Sequence, residues 1–266
     1  MQERHAAGLH GIPWHHAWYE PWRDIGGQVE RRIAEGLTSW QALNETRLAP
    51  VRFVPSADLP SDVPYEQFVA NSGDCPTRAG AHDFFNGLCW LKFPATKRRI
   101  NQLQARQIAR DGIHPERGAV RDSLTLLDEN AAFLHAPREL WDALANKQWQ
   151  TLFGPMRALW REARLLVFGH ALLEKLCTPR KALTAHVYRV DAACTSLSKL
   201  DAWVAQDLRD EKLAAKPFAH LPILGVPQWW PANDNPAFYD DAAVFRRPKR
   251  EVPDNRKSRV HTGPDP

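Results

Sequence analysis

The spacing of apolar residues divides the chain into helical stretches separated by proline-rich connections. Val29, Ile33, Leu37, Trp40 and Leu43 recur at three and four residues and predict a helix over about 28–43. The next segment, RLAPVRFVPSADLPSDVPYEQF, contains four prolines, so it predicts extended loop with one short strand at Val51 to Val54. From Gly80 the period is helical again. His82, Asn86, Cys89 or Trp90, and Phe93 fall on one stripe, and Pro94 forces a break after Phe93. A second helix starts at Pro94, with Lys97, Asn101, Gln104 and Ile108 on one face, and ends at Asp111-Gly112 and Pro115. Further helices are predicted over 136–146, 155–176 and 198–211. The stretch TAHVYRVDA at 184–192 suits strand or helix, and FAHLPILGVPQWWPANDNPAF reads as loop.

These elements predict a mainly α fold: a single domain of packed helices with long Pro/Trp-rich loops and at most a few short strands. Residues 1–50 read as an aromatic N-terminal arm and helix, 51–247 as the main domain, and 248–266 as a disordered basic tail. With 266 residues, 44% hydrophobic and 25% charged, the chain is long enough to bury a sizeable core. No window approaches the roughly 18 apolar residues that span a bilayer, and the first twenty show no secretory leader, so no membrane partner and a cytoplasmic location are expected. Four cysteines without CxxC spacing argue for reduced thiols rather than a disulfide framework.

Charge is unevenly placed. Between Arg246 and Arg259 seven Lys/Arg stand against Glu251 and Asp254, so the tail accounts for more than the whole net charge of +4. Residues 92–121 hold eight Lys/Arg against Asp111 and Glu116, a candidate anion-binding face.

Four blocks, HDFFNGLCWLKFPATKRRINQLQ, RGAVRDSLTLLDENAAF, VFGHALLEKLCTPRKALTAH and LPILGVPQWWPANDNPAFYDDAAVFRRP, together resemble the bacterial family catalogued as Domain of Unknown Function 3025, from about Phe53 to Pro248. The resemblance implies a bacterial source and a single domain, and it carries no activity, cofactor or catalytic residue. Leu127 and Ala131 stand where the family pattern FDENG has Phe and Gly.

Candidate chemistry lies in three polar blocks on apolar helices. In HDFFN, His82 and Asn86 share a face one turn apart, suited to proton transfer or to ligand binding, while Asp83 also suits a helix cap. In RDSLTLLDEN, Arg121 precedes an apolar run that Asp128 and Glu129 close, where carboxylates can act as bases or metal ligands, although the same composition is common in turns. In FGHALLEKL, His170 and Glu174 are four apart on a predicted helix, and His186 follows a proline-marked turn. A structural His–Glu brace explains the same residues. Cys75, His82 and Cys89 stand seven apart, but Pro76 keeps Cys75 off the helix of the other two.

The expected site therefore gathers His82, Asp128, Glu129, His170, Glu174 and His186 as catalytic candidates, with Asn86, Lys97, Asn101 and Arg121 as ligand-binding residues. The expected function is a hydrolase or lyase, for which a divalent metal is compatible and not required. The alternative is a non-catalytic protein that binds a phosphate-bearing ligand or nucleic acid through residues 92–121. No GxSxG, P-loop or GxGxxG motif supports a common enzyme class.

Overall fold

The computed structural model describes residues 11–112, 116, 118–191, 194 and 196–247. The expected helix stop at Pro115, the basic residue Arg117 and the tail 248–266 lie outside these.

The aromatic arm enters the core. Trp18, Tyr19 and Trp22 are buried, the Tyr19 hydroxyl donates to the Leu173 carbonyl at 2.7 Å and Trp22 Nε1 to the Val167 carbonyl at 3.0 Å. The single helix expected over 28–43 is two. α1 (Arg23–Ala34) ends before Gly36, whose φ of 107° only glycine adopts readily, and α2 (Ser39–Glu45) restarts at Thr38, which forms a reciprocal capping pair with Gln41. Strand β1 (Arg52–Pro55) falls where the sequence predicts one. It pairs in parallel, across α3 (Tyr65–Ser72), with β2 (Asp74–Thr77). α4 (Ala81–Lys92) and α5 (Pro94–Asp111) meet at the expected break.

α6 (Ala119–Asn130) passes into β3 (Ala131–His135) with no intervening loop, and α7 (Arg138–Ala145) and α8 (Trp149–Phe153) follow. β4 (Arg164–Val167), α9 (His170–Lys175), β5 (Thr184–Arg189), α10 (Leu197–Asp207), α11 (Asp210–Ala214) and β6 (Phe218–Pro222) complete the chain. The larger sheet has the order β4-β3-β5-β6, with the central β3–β5 pair parallel and the outer pairs antiparallel.

The mainly α expectation is therefore corrected to an α/β mixture, with six strands in two sheets among the described residues. The physical reason is burial on both faces. AAFLH in β3 is buried from Ala131 to Leu134, so it shows no alternation that would mark a strand. RLLV in β4 continues the leucine spacing of the helix expected over 155–176, which is instead a 3-10 turn, a strand and the short α9.

Candidate functional site

The site forms where the start of α4, the start of α5, the end of α6 and the start of α9 meet. Its closest backbone approach is at Gly169. Phe168 and Gly169 N–H both donate to the Ala131 carbonyl, at 3.0 and 2.8 Å, which ties the end of β4 to the α6–β3 junction. A Cβ at Gly169 would lie 2.4 Å from the Asn130 nitrogen and from the Glu129 carbonyl oxygen. The absence of a side chain there lets His170 sit beside Asp128. Gly169→Ala is expected to destabilise the fold by about 1–3 kcal/mol through this backbone clash, measured by urea unfolding. A cost near zero would show that the junction can open without strain.

From this junction a polar chain runs inward from the surface. Glu174 Oε2 lies 2.9 Å from His82 Nδ1, and His82 Nε2 lies 3.2 Å from His170 Nε2. His170 Nδ1 lies 3.7 Å from Asp128 Oδ2, and Asp128 Oδ1 accepts from Lys97 Nζ at 2.5 Å. Lys97 also donates to Asn86 Oδ1 at 2.8 Å, Asn86 Nδ2 donates to the Tyr65 hydroxyl at 3.2 Å, and that hydroxyl is 3.1 Å from Cys75 Sγ. The side chains of His82 and Glu174 are each 40% exposed, whereas His170 is 8% and Lys97 5% exposed. The chain of contacts thus has one wet end and one dry end.

Burial opposes the charge on Asp128, but Lys97 first, then His170 and His82, outweigh it and hold its carboxyl below the usual range. Burial drives His170 the other way, down to about 4, against the pull of Asp128 and with help from Lys97 and His82, so its imidazole is neutral near pH 7. Burial also pushes the Cys75 thiol up to about 11 and the Tyr65 phenol well above its ordinary value. The inner end is therefore a compensated Lys–Asp pair among neutral groups.

Proton positions follow from the partners. A carboxylate only accepts, so His82 Nδ1 carries a hydrogen toward Glu174. With His82 neutral, its Nε2 must accept from His170 Nε2–H, which leaves His170 Nδ1 bare opposite Asp128. That buried nitrogen makes no close hydrogen bond, with Asp128 Oδ2 3.7 Å away. A doubly protonated His82 donates its Nε2–H only to a His170 that carries its hydrogen on Nδ1, facing Asp128, so the two protonation states of His82 call for opposite tautomers of His170.

Of the residues singled out from sequence, His82, Asp128, His170, Glu174, Asn86 and Lys97 come together. The other four do not. His186 lies on β5 opposite His220 of β6, their ring centres 4.9 Å apart, so it is corrected to a separate cross-strand pair. Strand geometry is the reason: residues 184–189 run away along the sheet instead of folding back. Glu129 contributes its backbone carbonyl to the Gly169 contact, and neither its side chain nor that of Arg121 makes a polar contact with the cluster. Asn101 Nδ2 donates to the Glu66 carbonyl at 2.9 Å and braces α5 against α3. Asp83 binds the Arg78 backbone N–H at 2.6 Å and the Arg78 guanidinium at 3.0 Å, an anchor for the start of α4. Sequence reasoning does not reach Tyr65 and singles out Cys75 only for its spacing to His82 and Cys89, because both sit next to prolines in a stretch with no period to place them.

The basic residues of 92–121 are dispersed. Lys97 is buried, Arg99 binds the Leu208 carbonyl, Arg106 pairs with Asp210 and Arg110 with Asp111. Among the described residues no group of three or more His, Cys, Asp or Glu is placed to hold a metal ion. No helix among the described residues is long and apolar enough to cross a membrane. No curated protein and no solved structure matches the chain. Residues 51–250 match the family described as Protein of unknown function (DUF3025), and the chain belongs to that family.

Proposed function

We propose that the protein is an acid–base enzyme of hydrolase or lyase type in which His82 exchanges a proton with the substrate. The observation that carries this reading is the pairing of two imidazoles, each with a carboxylate behind its Nδ1 and their Nε2 atoms 3.2 Å apart, one half-exposed and one buried. A collinear N–H···N bond of that length would set the ring centres roughly 5.5 Å apart. They are 4.6 Å apart with planes at 81°, so the rings meet obliquely, and the His82 side chain is 40% exposed. Glu174 orients His82, and the buried His170–Asp128–Lys97 group answers its change of charge by a tautomer switch. A structural brace would need the His–Glu contact alone; it would not need a neutral imidazole aligned behind it on a buried ion pair.

The test is a screen of purified protein against phosphoester, carboxylic ester and amide substrates, repeated on His82→Gln and Glu174→Gln. His82→Gln is expected to lower kcat by about 100-fold, with a smaller loss in Glu174→Gln, whose target keeps its ring. Activity retained in His82→Gln would sink the assignment. Elemental analysis of wild type and His170→Ala runs alongside: a stoichiometric divalent metal lost in the variant would make the two Nε2 atoms ligands and overturn the proton-transfer role.

A further inference from the structure

A large cavity lies elsewhere, and its chemistry is that of an anion site. A groove of about 1270 Å³ runs between the arm, the 3-10 turn at 157–161, the near ends of β3 and β4, and the turn at 226–229. Arg164, at the start of β4, is in register with His135 at the end of β3, and both line the groove. His170 lies six residues on, beyond the far end of β4, at most roughly 20 Å from Arg164. None of His82, Asp128, His170 and Glu174 lines the groove, which is thus separate from the imidazole pair.

Four arginines line this groove against two acids, Glu20 and Asp234. Arg157 spends its charge on Asp234 at 2.8 Å and is fixed further by Asn233 and the Tyr239 hydroxyl. Arg23 is held through Nε on the Trp14 carbonyl at 2.8 Å, which leaves its terminal nitrogens unspent. Arg161 and Arg164 are exposed and enter no ion pair among the described residues. Cations in a concavity with apolar walls, here Phe133, Trp160 and Val226, focus positive potential on whatever enters.

The same lining offers a ring. Trp229 N–H closes a turn on the Val226 carbonyl at 3.1 Å, with Pro227 and Gln228 at its centre. Gln228 has φ of +69°, the left-handed conformation that glycine usually supplies at the third position of such a turn. The chain therefore accepts local strain to present Trp229, whose indole is backed by Trp18 with ring centres 6.2 Å apart. Arginine forks and a supported indole lining one groove match a molecule that carries both phosphate and a planar ring.

We propose that this groove binds a nucleoside phosphate, its phosphates on Arg161 and Arg164 and its base against Trp229. Isothermal titration of the full chain with ADP, pyrophosphate and adenosine tests it. ADP is expected to bind best, more weakly as salt rises. Arg161→Gln with Arg164→Gln should weaken ADP and pyrophosphate at least tenfold, whereas Trp229→Leu should weaken ADP and spare pyrophosphate. Arg98→Gln, on the solvent face of α5, should change neither. All these side chains are partly or fully solvated, so folding is not at stake. Absence of ADP binding at millimolar concentration, or unchanged binding in the double arginine variant, would overturn the proposal. Equal loss with Arg98→Gln would reduce it to nonspecific charge attraction and overturn it as well.

Discussion

Lys97→Met alone is expected to destabilise the protein by about 3–5 kcal/mol, because it removes one member of a buried ion pair and strands the other. Asp128 would keep a carboxylate next to the bare His170 nitrogen with no ammonium within reach, and Asn86 Oδ1 would lose its donor. The carboxyl would answer by binding a proton, which moves part of the cost into a raised pKa rather than abolishing it. Lys97→Met combined with Asp128→Leu is expected to recover most of the loss, since two apolar groups of similar volume need no compensation in a pocket already lined by Trp90, whose ring lies 5.4 Å from the ammonium. Urea unfolding of the two single variants and the double variant gives the coupling directly. A single-variant cost below about 1 kcal/mol, the range for a surface pair, would mean that water reaches Lys97.

This cycle also separates folding from function. If the ion pair exists only to close the core, the double variant should be stable and should keep whatever activity the protein has. In the proposed role, Asp128 is the acceptor that makes the Nδ1 tautomer of His170 available when His82 takes up a proton. The double variant would then be stable but slow, and its loss would resemble that of a His170 variant. Retained stability with lost activity is the result that a bracing role does not produce.

The parts of the site that were legible from sequence are those with a helical period. His82 and Asn86 share one face of α4, Lys97 opens α5 after a proline, and each helix lies where its spacing placed it. The break at Pro94 then suffices to bring Lys97 to Asn86. Glu174 was legible as the residue four beyond His170, although it turns to the His82 of another helix. The sheet was not legible. β3 and β4 are short, with apolar runs of four residues in β3 and three in β4, and such a run fits a turn of helix as well as a strand. What brings His170 to Asp128 is not the helix expected over 155–176 but a strand end tied to the Ala131 carbonyl, with no room for a side chain at Gly169. The departure at Ala131 from the family pattern is explained by the same junction, where the chain leaves α6 in an extended conformation (φ −84°, ψ 156°) that needs no glycine.

Acid should reveal the buried imidazole. His170 stays neutral in the folded protein down to about pH 4, whereas in the unfolded chain it takes up a proton near its ordinary 6.5. Below 6.5 the unfolded state therefore binds a proton that the folded state does not, and stability falls as pH is lowered through the window from 6.5 to 4. The loss from this group alone is on the order of 3 kcal/mol, and it stops growing below about pH 4, where the folded state binds the proton too. Asp128 acts below that window. Burial works to raise its folded carboxyl, but Lys97 and the two imidazoles hold it below the ordinary value, so its contribution is present above the unfolded value and disappears as pH falls through the folded one. His16, His186 and His220 are also shifted down by burial and add slopes of the same sign, so the informative quantity is a difference. Wild-type stability minus that of His170→Gln, measured by urea unfolding between pH 4 and 7.5, is expected to fall steadily below pH 6.5. A difference that stays level across this range would mean that His170 takes up its proton at the same pH in the folded protein as in the unfolded chain, so the imidazole behind His82 would stay neutral only above about pH 6.5 and not down to pH 4.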